Sequence, residues 1–251
     1  MIDYLPVIIP TFHSPELTSI CIRSMEKYRP DWLHLKYVVV ENSEDTSYKR
    51  DILALADDIT WINNPTTLIN SWANADAIKV ALPHVLGVSW VFLVHNDTCV
   101  TNSSFFPSML SKLEETVLVG TVLDPSRLNA VHVSGYISSM LLLKMTDPFP
   151  VMQAGVMIAD VGDMPTVKCR EEKWPHYCFP NTFNDATLIE KLLEPFKSFH
   201  VDRCLDADNN VMWMHLGRGT PKTQGVYNKP NRVYLPGWVE FCERHLNADS
   251  V

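Results

Sequence analysis

The run Trp90-Val91-Phe92-Leu93-Val94 is continuously apolar and stops at His95-Asn96-Asp97. A strand covered on both faces reads this way. In open α/β sheets, ligands bind just past the carboxyl ends of the strands. A carboxylate at that spot can hold a divalent cation, and the cation can hold a diphosphate. Three other apolar runs end similarly: residues 6–9 at Pro10-Thr11, 37–40 at Glu41-Asn42-Ser43, and 59–62 at Asn63-Asn64. Each cluster alone is compatible with a turn, because Asn, Asp and Ser bond to nearby backbone. Four of them on one sheet edge converge on one crevice.

The elements that must position these residues alternate. After the strand at 6–9, the segment 14–28 reads as a helix. Ser14 is a candidate N-cap, Pro15 suits the first turn, and Leu17, Ile20, Cys21 and Met25 share a face. Helices over 48–56 and 71–82 separate the strands at 37–40, 59–62 and 90–94. A helix over 105–113 and a strand over 117–122 follow. This order predicts an α/β fold with a mostly parallel, doubly wound sheet and right-handed crossovers. The second half is less regular. It gives a strand over 138–144, a Pro- and aromatic-rich stretch over 146–180, a helix over 185–196 and a strand over 211–215. Beyond Gly217 the chain turns polar and reads as a tail or lid whose last residues are mobile.

The 251 residues suffice for one large domain, and a hydrophobic content of 46% supplies a sizeable core. A net charge of −8 argues against a broad nucleic-acid-binding face, although not against a local basic groove. The six cysteines form no CxxC pair and no common zinc spacing, so a reduced, cytoplasmic protein is expected. The N-terminus lacks the features of a signal peptide. The most apolar patch, Met140-Leu-Leu-Leu143, is too short for a transmembrane segment.

These motifs, in order, resemble the GT-A fold glycosyltransferases, and among them glycosyltransferase family 2. Val7-Ile-Ile-Pro-Thr-Phe12 is similar to the family's opening strand and turn. Val40-Glu-Asn-Ser-Glu-Asp45 resembles its acidic second-strand motif. The segment between Asn64 and Asn74 is similar to the one that holds the nucleotide. His95-Asn96-Asp97 stands where the family has Asp-x-Asp. Ser134-Gly135 resembles an acceptor-side segment, Asn184-Asp185 the catalytic Glu-Asp pair, and Met214-His215 a late histidine that some members use on the metal. The motifs cover residues 5 to about 220.

The resemblance implies a Rossmann-like single domain. Its nucleotide-binding half is about 1–100, its acceptor half about 101–220, and 221–251 is a tail or lid. It implies transfer of a sugar from a nucleotide-diphosphate sugar to an acceptor hydroxyl, with inversion. Pro10, Thr11, Phe12, Glu41, Asn42, Asn64, Asn74, His95 and Asn96 would hold the nucleotide. Glu41 in place of Asp keeps a carboxylate for a base or ribose and favours a UDP-sugar. Asp97 and His215 would bind the metal, and a mixed oxygen and nitrogen set favours Mn²⁺ over Mg²⁺. His95, where the family has Asp, is compatible with ribose contact, direct metal binding or weakened metal dependence. Asp185 would be the general base, or else only a helix N-cap. Arg218 and Lys222 would clamp the diphosphate, or else form solvated surface. Gly135 and Trp174 would lie at the acceptor, which is a glycan, a protein or a modified nucleic-acid base.

Two rivals remain. A nucleotidyltransferase shares the sheet and the metal acid, but a Gly-rich loop after the first strand is missing. A catalytically silent sugar-nucleotide-binding module is compatible with His95. A dinucleotide enzyme is disfavoured, since G-x-G-x-x-G is absent.

Overall fold

The computed structural model describes residues 2–122, 131–183, 185–217 and 235–248. The first half follows the expected alternation: β1 (Tyr4–Thr11), α1 (Pro15–Tyr28), β2 (His34–Glu41), α2 (Lys49–Leu53), β3 (Ile59–Asn63), α3 (Asn70–Ala81) and β4 (Trp90–Leu93). β1 and β2 are longer than their apolar runs, and α2 is shorter than expected. Next come β5 (Thr98–Val100), α4 (Phe105–Lys112), β6 (Leu118–Val122), β7 (Val131–Ser139) and α5 (Met140–Met145). A hairpin of β8 (Val151–Gln153) and β9 (Val156–Ala159) precedes α6 (Met164–Glu172) and β10 (His176–Phe179). The last elements are β11 (Asp202–Leu205), β12 (Val211–His215) and α7 (Leu235–Asn247).

The seven-stranded sheet has the order β10-β6-β7-β4-β1-β2-β3. β7 is antiparallel to both of its neighbours, and the other pairings are parallel. The chain moves outward from β1 to β2 and β3. It then returns through α3 to place β4 on the other side of β1, so the topological switch point lies between β1 and β4. Period-two alternation sorts the core. Leu5, Val7 and Ile9 of β1 and Tyr37 and Val39 of β2 face α1, α2 and α4. Ile8, Val38 and Val40 face α3, whose Ala75, Ala77 and Ala81 allow close approach.

The second half departs from expectation in three places. Residues 138–144 are not one strand. β7 stops at Ser139, whose hydroxyl accepts the Leu142 N–H at 3.3 Å and opens α5. A short apolar run has no period of its own, and here Met140, Leu142 and Leu143 are buried while Leu141 is exposed. The helix expected over 185–196 is a short 3₁₀ turn, Ala186–Lys191. Pro195 disfavours helical backbone at Glu194 and clashes with a carbonyl one turn back. Leu188 and Leu192 are buried, but Leu193 is 82% exposed. Finally, the expected tail or lid contains a helix, α7. Its Trp238, Phe241 and Cys242 pack with Leu17 and Ile20 of α1, and Arg23 pairs with Glu243 through two bonds of 2.6 and 3.0 Å.

Candidate metal centre

The site is built by a second, three-stranded sheet of order β11-β12-β5. Asp97 immediately precedes β5, and His215 ends β12. The antiparallel register sets His215 opposite Thr98 on one side and opposite Asp202 on the other. The Leu216 N–H donates to the Asp97 carbonyl at 3.0 Å and locks the two strand ends together. Ligand atoms of His95, Asp97 and His215 consequently lie within 4.8 Å of one another. His215 Nε2 is 3.3 Å from Asp97 Oδ1, and its Nδ1 is 3.2 Å from Asp202 Oδ2. His95 Nδ1 is 4.0 Å from Asp97 Oδ1, and the two imidazole centres are 5.6 Å apart.

The electrostatics separate the two histidines. Burial disfavours the charged form of His215, yet Asp97 and Asp202 outweigh it and raise its pKa to about 10. His215 therefore carries the positive charge between two carboxylates. Burial lowers the pKa of His95 to about 4; Asp97 and Asp160 oppose the shift, and His215 adds to it. His95 is neutral at physiological pH, as a ligand nitrogen must be. Two nitrogens and a carboxylate, arranged around a charge that a cation can replace, fit a divalent metal such as Mn²⁺.

The remaining predicted residues divide. Asn74 reaches the site, with its amide nitrogen 3.4 Å from His95 Nε2. Phe12 and Asn64 are half-buried at the same sheet edge. Pro10 and Thr11 lie inside β1, opposite Val40 and Glu41. Asn96 turns inward, donating to the hydroxyls of Thr11 at 3.1 Å and Thr18 at 3.3 Å. Asn42 donates to the Ala73 carbonyl at 3.0 Å and accepts from Asn64 at 2.9 Å. Glu41 is fully buried. Its carboxylate accepts from the His13 N–H at 3.1 Å, the Ser43 N–H at 2.7 Å and the Tyr48 hydroxyl. These protein donors stand where a base or ribose was expected.

Asp185 is exposed. Its Oδ1 accepts from the Thr187 N–H at 3.0 Å and the Thr187 hydroxyl at 2.6 Å, which is the N-cap geometry. Trp174 lies at the opposite edge of the sheet. Next to it, the Pro175 carbonyl accepts the Val117 N–H at the amino end of β6, and the ring packs against the cluster of Met140, Leu143 and Cys169. Gly135 is buried in β7, and a Cβ there would touch Phe92 and Trp213, each at 3.5 Å. Arg218, Lys222 and Asn184 lie outside the described residues.

Two acids went unpredicted. Asp202 is buried beside His215. Asp160, directly after β9, acts on the charge of His95; its Oδ1 accepts the Val161 N–H at 2.7 Å. The sequence Asp160-Val-Gly-Asp163-Met-Pro165 carries a helix-start signature, an Asp followed by Pro in the first turn. That signature points to Asp163 and leaves Asp160 unmarked. Nothing local marks Asp202.

Neither a protein-family model nor a curated protein matches the sequence. Solved structures do. The chain is similar to the galactosyltransferase LgtC in complex with donor and acceptor sugar analogs, with a TM-score of 0.58 and 12% identity over 98% of this chain and 97% of that one. It is also similar to the mannosyltransferase PcManGT from Pyrobaculum calidifontis in complex with GDP-Man and Mn²⁺, with a TM-score of 0.54 and 14% identity over 96% and 69% of the two chains. With its switch point between β1 and β4 and its one reversed strand, the chain adopts the GT-A glycosyltransferase fold.

Proposed function

We propose that this protein is a metal-dependent glycosyltransferase that moves a sugar from a nucleotide-diphosphate sugar to an acceptor hydroxyl. The observation that carries the reading is the meeting of His95, Asp97 and His215 within 4.8 Å at the carboxyl edge of a GT-A sheet. The partners of two structural neighbours, GDP-Man with Mn²⁺ in one and sugar analogs in the other, support it. When bound, the divalent ion supplies positive charge to the diphosphate leaving group. Asp97 offers an oxygen and the histidines offer nitrogens, which favours Mn²⁺.

The nucleotide half is residues 1 to about 100, with Phe12, Asn64 and Asn74 at the open edge of the cleft. The acceptor half runs to about 220. Residues 218–220 and the tail segment from 221 supply Arg218 and Lys222 to the diphosphate. Asp160 takes the acceptor proton, a role the sequence assigns to Asp185. The charge of Asp160 acts on His95, whereas the Asp185 carboxylate is held by Thr187. A single displacement with such a base inverts the anomeric carbon. Because the Glu41 carboxylate is engaged within the protein, the donor base stays open between uracil and guanine.

The test is a thermal-shift screen of UDP, GDP and their sugar conjugates, each with and without Mn²⁺. At least one nucleotide should raise Tm in a Mn²⁺-dependent way. If none shifts Tm under any metal condition, the reading fails. Among the described residues no helix is long and apolar enough to cross a membrane.

A further inference from the structure

Asp202 is tied to His215 by strand pairing. The two residues are a directly opposed antiparallel pair on β11 and β12. Both are nearly inaccessible, and the Asp202 Oδ2 lies 3.2 Å from His215 Nδ1. The opposite ring nitrogen, Nε2, faces Asp97 at 3.3 Å. An imidazole presents only one nitrogen lone pair at a time, and the bond at one nitrogen selects which.

We infer that Asp202 is a positioning residue of the metal centre: when a cation displaces the Nε2 proton of His215, Asp202 keeps the remaining proton on Nδ1, aims Nε2 at the cation beside Asp97, and raises the donor strength of that nitrogen. The inference rests on the proposed metal site. The strand register that joins Asp202, His215 and Thr98 in a row makes the ring orientation a property of the fold, set before any ion arrives. Asp202 touches neither the ion nor the substrate.

The probe is Mn²⁺, titrated into the whole protein with and without a nucleoside diphosphate and followed by the electron paramagnetic resonance of the free ion. Asp202→Asn keeps an oxygen but loses the charge; Asp202→Ala loses both. Mn²⁺ affinity should fall about 10- to 100-fold in these variants, with Ala at least as weak as Asn. Asp206→Asn is the control. It disturbs the same β-hairpin, where Asp206 accepts from Asp208, Asn210 and Ser104, and should lower Tm while leaving Mn²⁺ affinity alone. Ring ¹⁵N shifts of His215 in Mg²⁺-loaded protein should report Nδ1–H in the parent and a tautomer mixture in Asp202→Ala. A structural role alone would not move that signal.

If the parent binds Mn²⁺ and His215→Ala weakens it, but both Asp202 variants bind as the parent does, the inference is overturned and the metal site stands. If the parent binds no Mn²⁺ with or without nucleotide, the metal site and the inference fall together.

Discussion

The two sheets use their polar residues in opposite ways. At the carboxyl edge of the seven-stranded sheet, Glu41, Asn42 and Asn96 turn inward and hold loops and α1 in place. In the three-stranded sheet, the register lines up Asp202, His215 and the start of β5, so that side chains distant in sequence converge on one point. A polar residue after a buried strand is thus as ready to close the edge as to meet a ligand. The candidate metal ligands are concentrated where strands from different parts of the chain meet.

The largest expected effect separates Asp160 from Asp185. With the donor found in the nucleotide screen, Asp160→Asn should lower the transfer rate by about 10²- to 10⁴-fold, the range of a lost general base. Asp185→Asn should transfer like the parent and melt like it, because Asn caps a helix about as well as Asp. The reverse result, a silent Asp185→Asn and an active Asp160→Asn, would return the proton to Asp185.

Adjacent residues sharpen the contrast further. Asp97→Asn and His215→Ala should lower transfer by about 10²- to 10³-fold, as loss of leaving-group stabilisation does, together with Mn²⁺ affinity. Asn96→Ala, one residue away, should leave Mn²⁺ affinity intact. It should lower stability by about 1–3 kcal/mol, because the Thr11 and Thr18 hydroxyls lose a buried partner. A loss of Mn²⁺ affinity in Asn96→Ala would erase the distinction between the inward and outward residues of this strand end.

What could be read in advance follows the same division. β1 through β4 and the helices between them were legible because each strand carries one apolar run with its own stop. Asp97 was legible for the same reason. α5 was not, since Met140-Leu-Leu-Leu143 fits a strand as well as a helix until Leu141 is seen to face solvent. β11 was hidden because Asp202-Arg-Cys-Leu205 carries two charges. Those charges are tolerated because Asp202 meets His215 and Arg203 bonds the carbonyls of Phe196 and Phe199 at 2.7 Å each. Pairing of that kind is a tertiary fact with no local sequence signal. The family resemblance singles out His215, whereas its partner Asp202 has no local signal.

Glu41→Ala tests the inward side of the comparison. It strips partners from two backbone N–H groups and the Tyr48 hydroxyl, whose ionisation burial and Glu41 already hold far above the usual phenol range. The expected loss is about 3 kcal/mol, or a fall in Tm of roughly 10 °C for a chain of this size. Nucleotide affinity, measured by calorimetry below the melting range, should stay near the parent value. A large drop in affinity with little change in Tm would mean that Glu41 reads the nucleotide after all.

The smallest effect lies on the seam between the two sheets. Gly135 of β7 sits against Phe92 of the large sheet and Trp213 of the small one, and a methyl group there would meet both rings at 3.5 Å, an ordinary contact distance. Gly135→Ala therefore adds apolar contact and reduces the freedom of the unfolded chain, and it should stabilise the protein by about 0.5 kcal/mol. Gly135→Leu overfills the seam and should cost about 1–3 kcal/mol. Both changes should appear in Tm, with the acceptor KM unchanged. If Gly135→Ala instead raises the acceptor KM and leaves Tm alone, the glycine serves the acceptor. The seam would then be part of the binding site rather than the joint on which the small sheet holds His215 against Asp97.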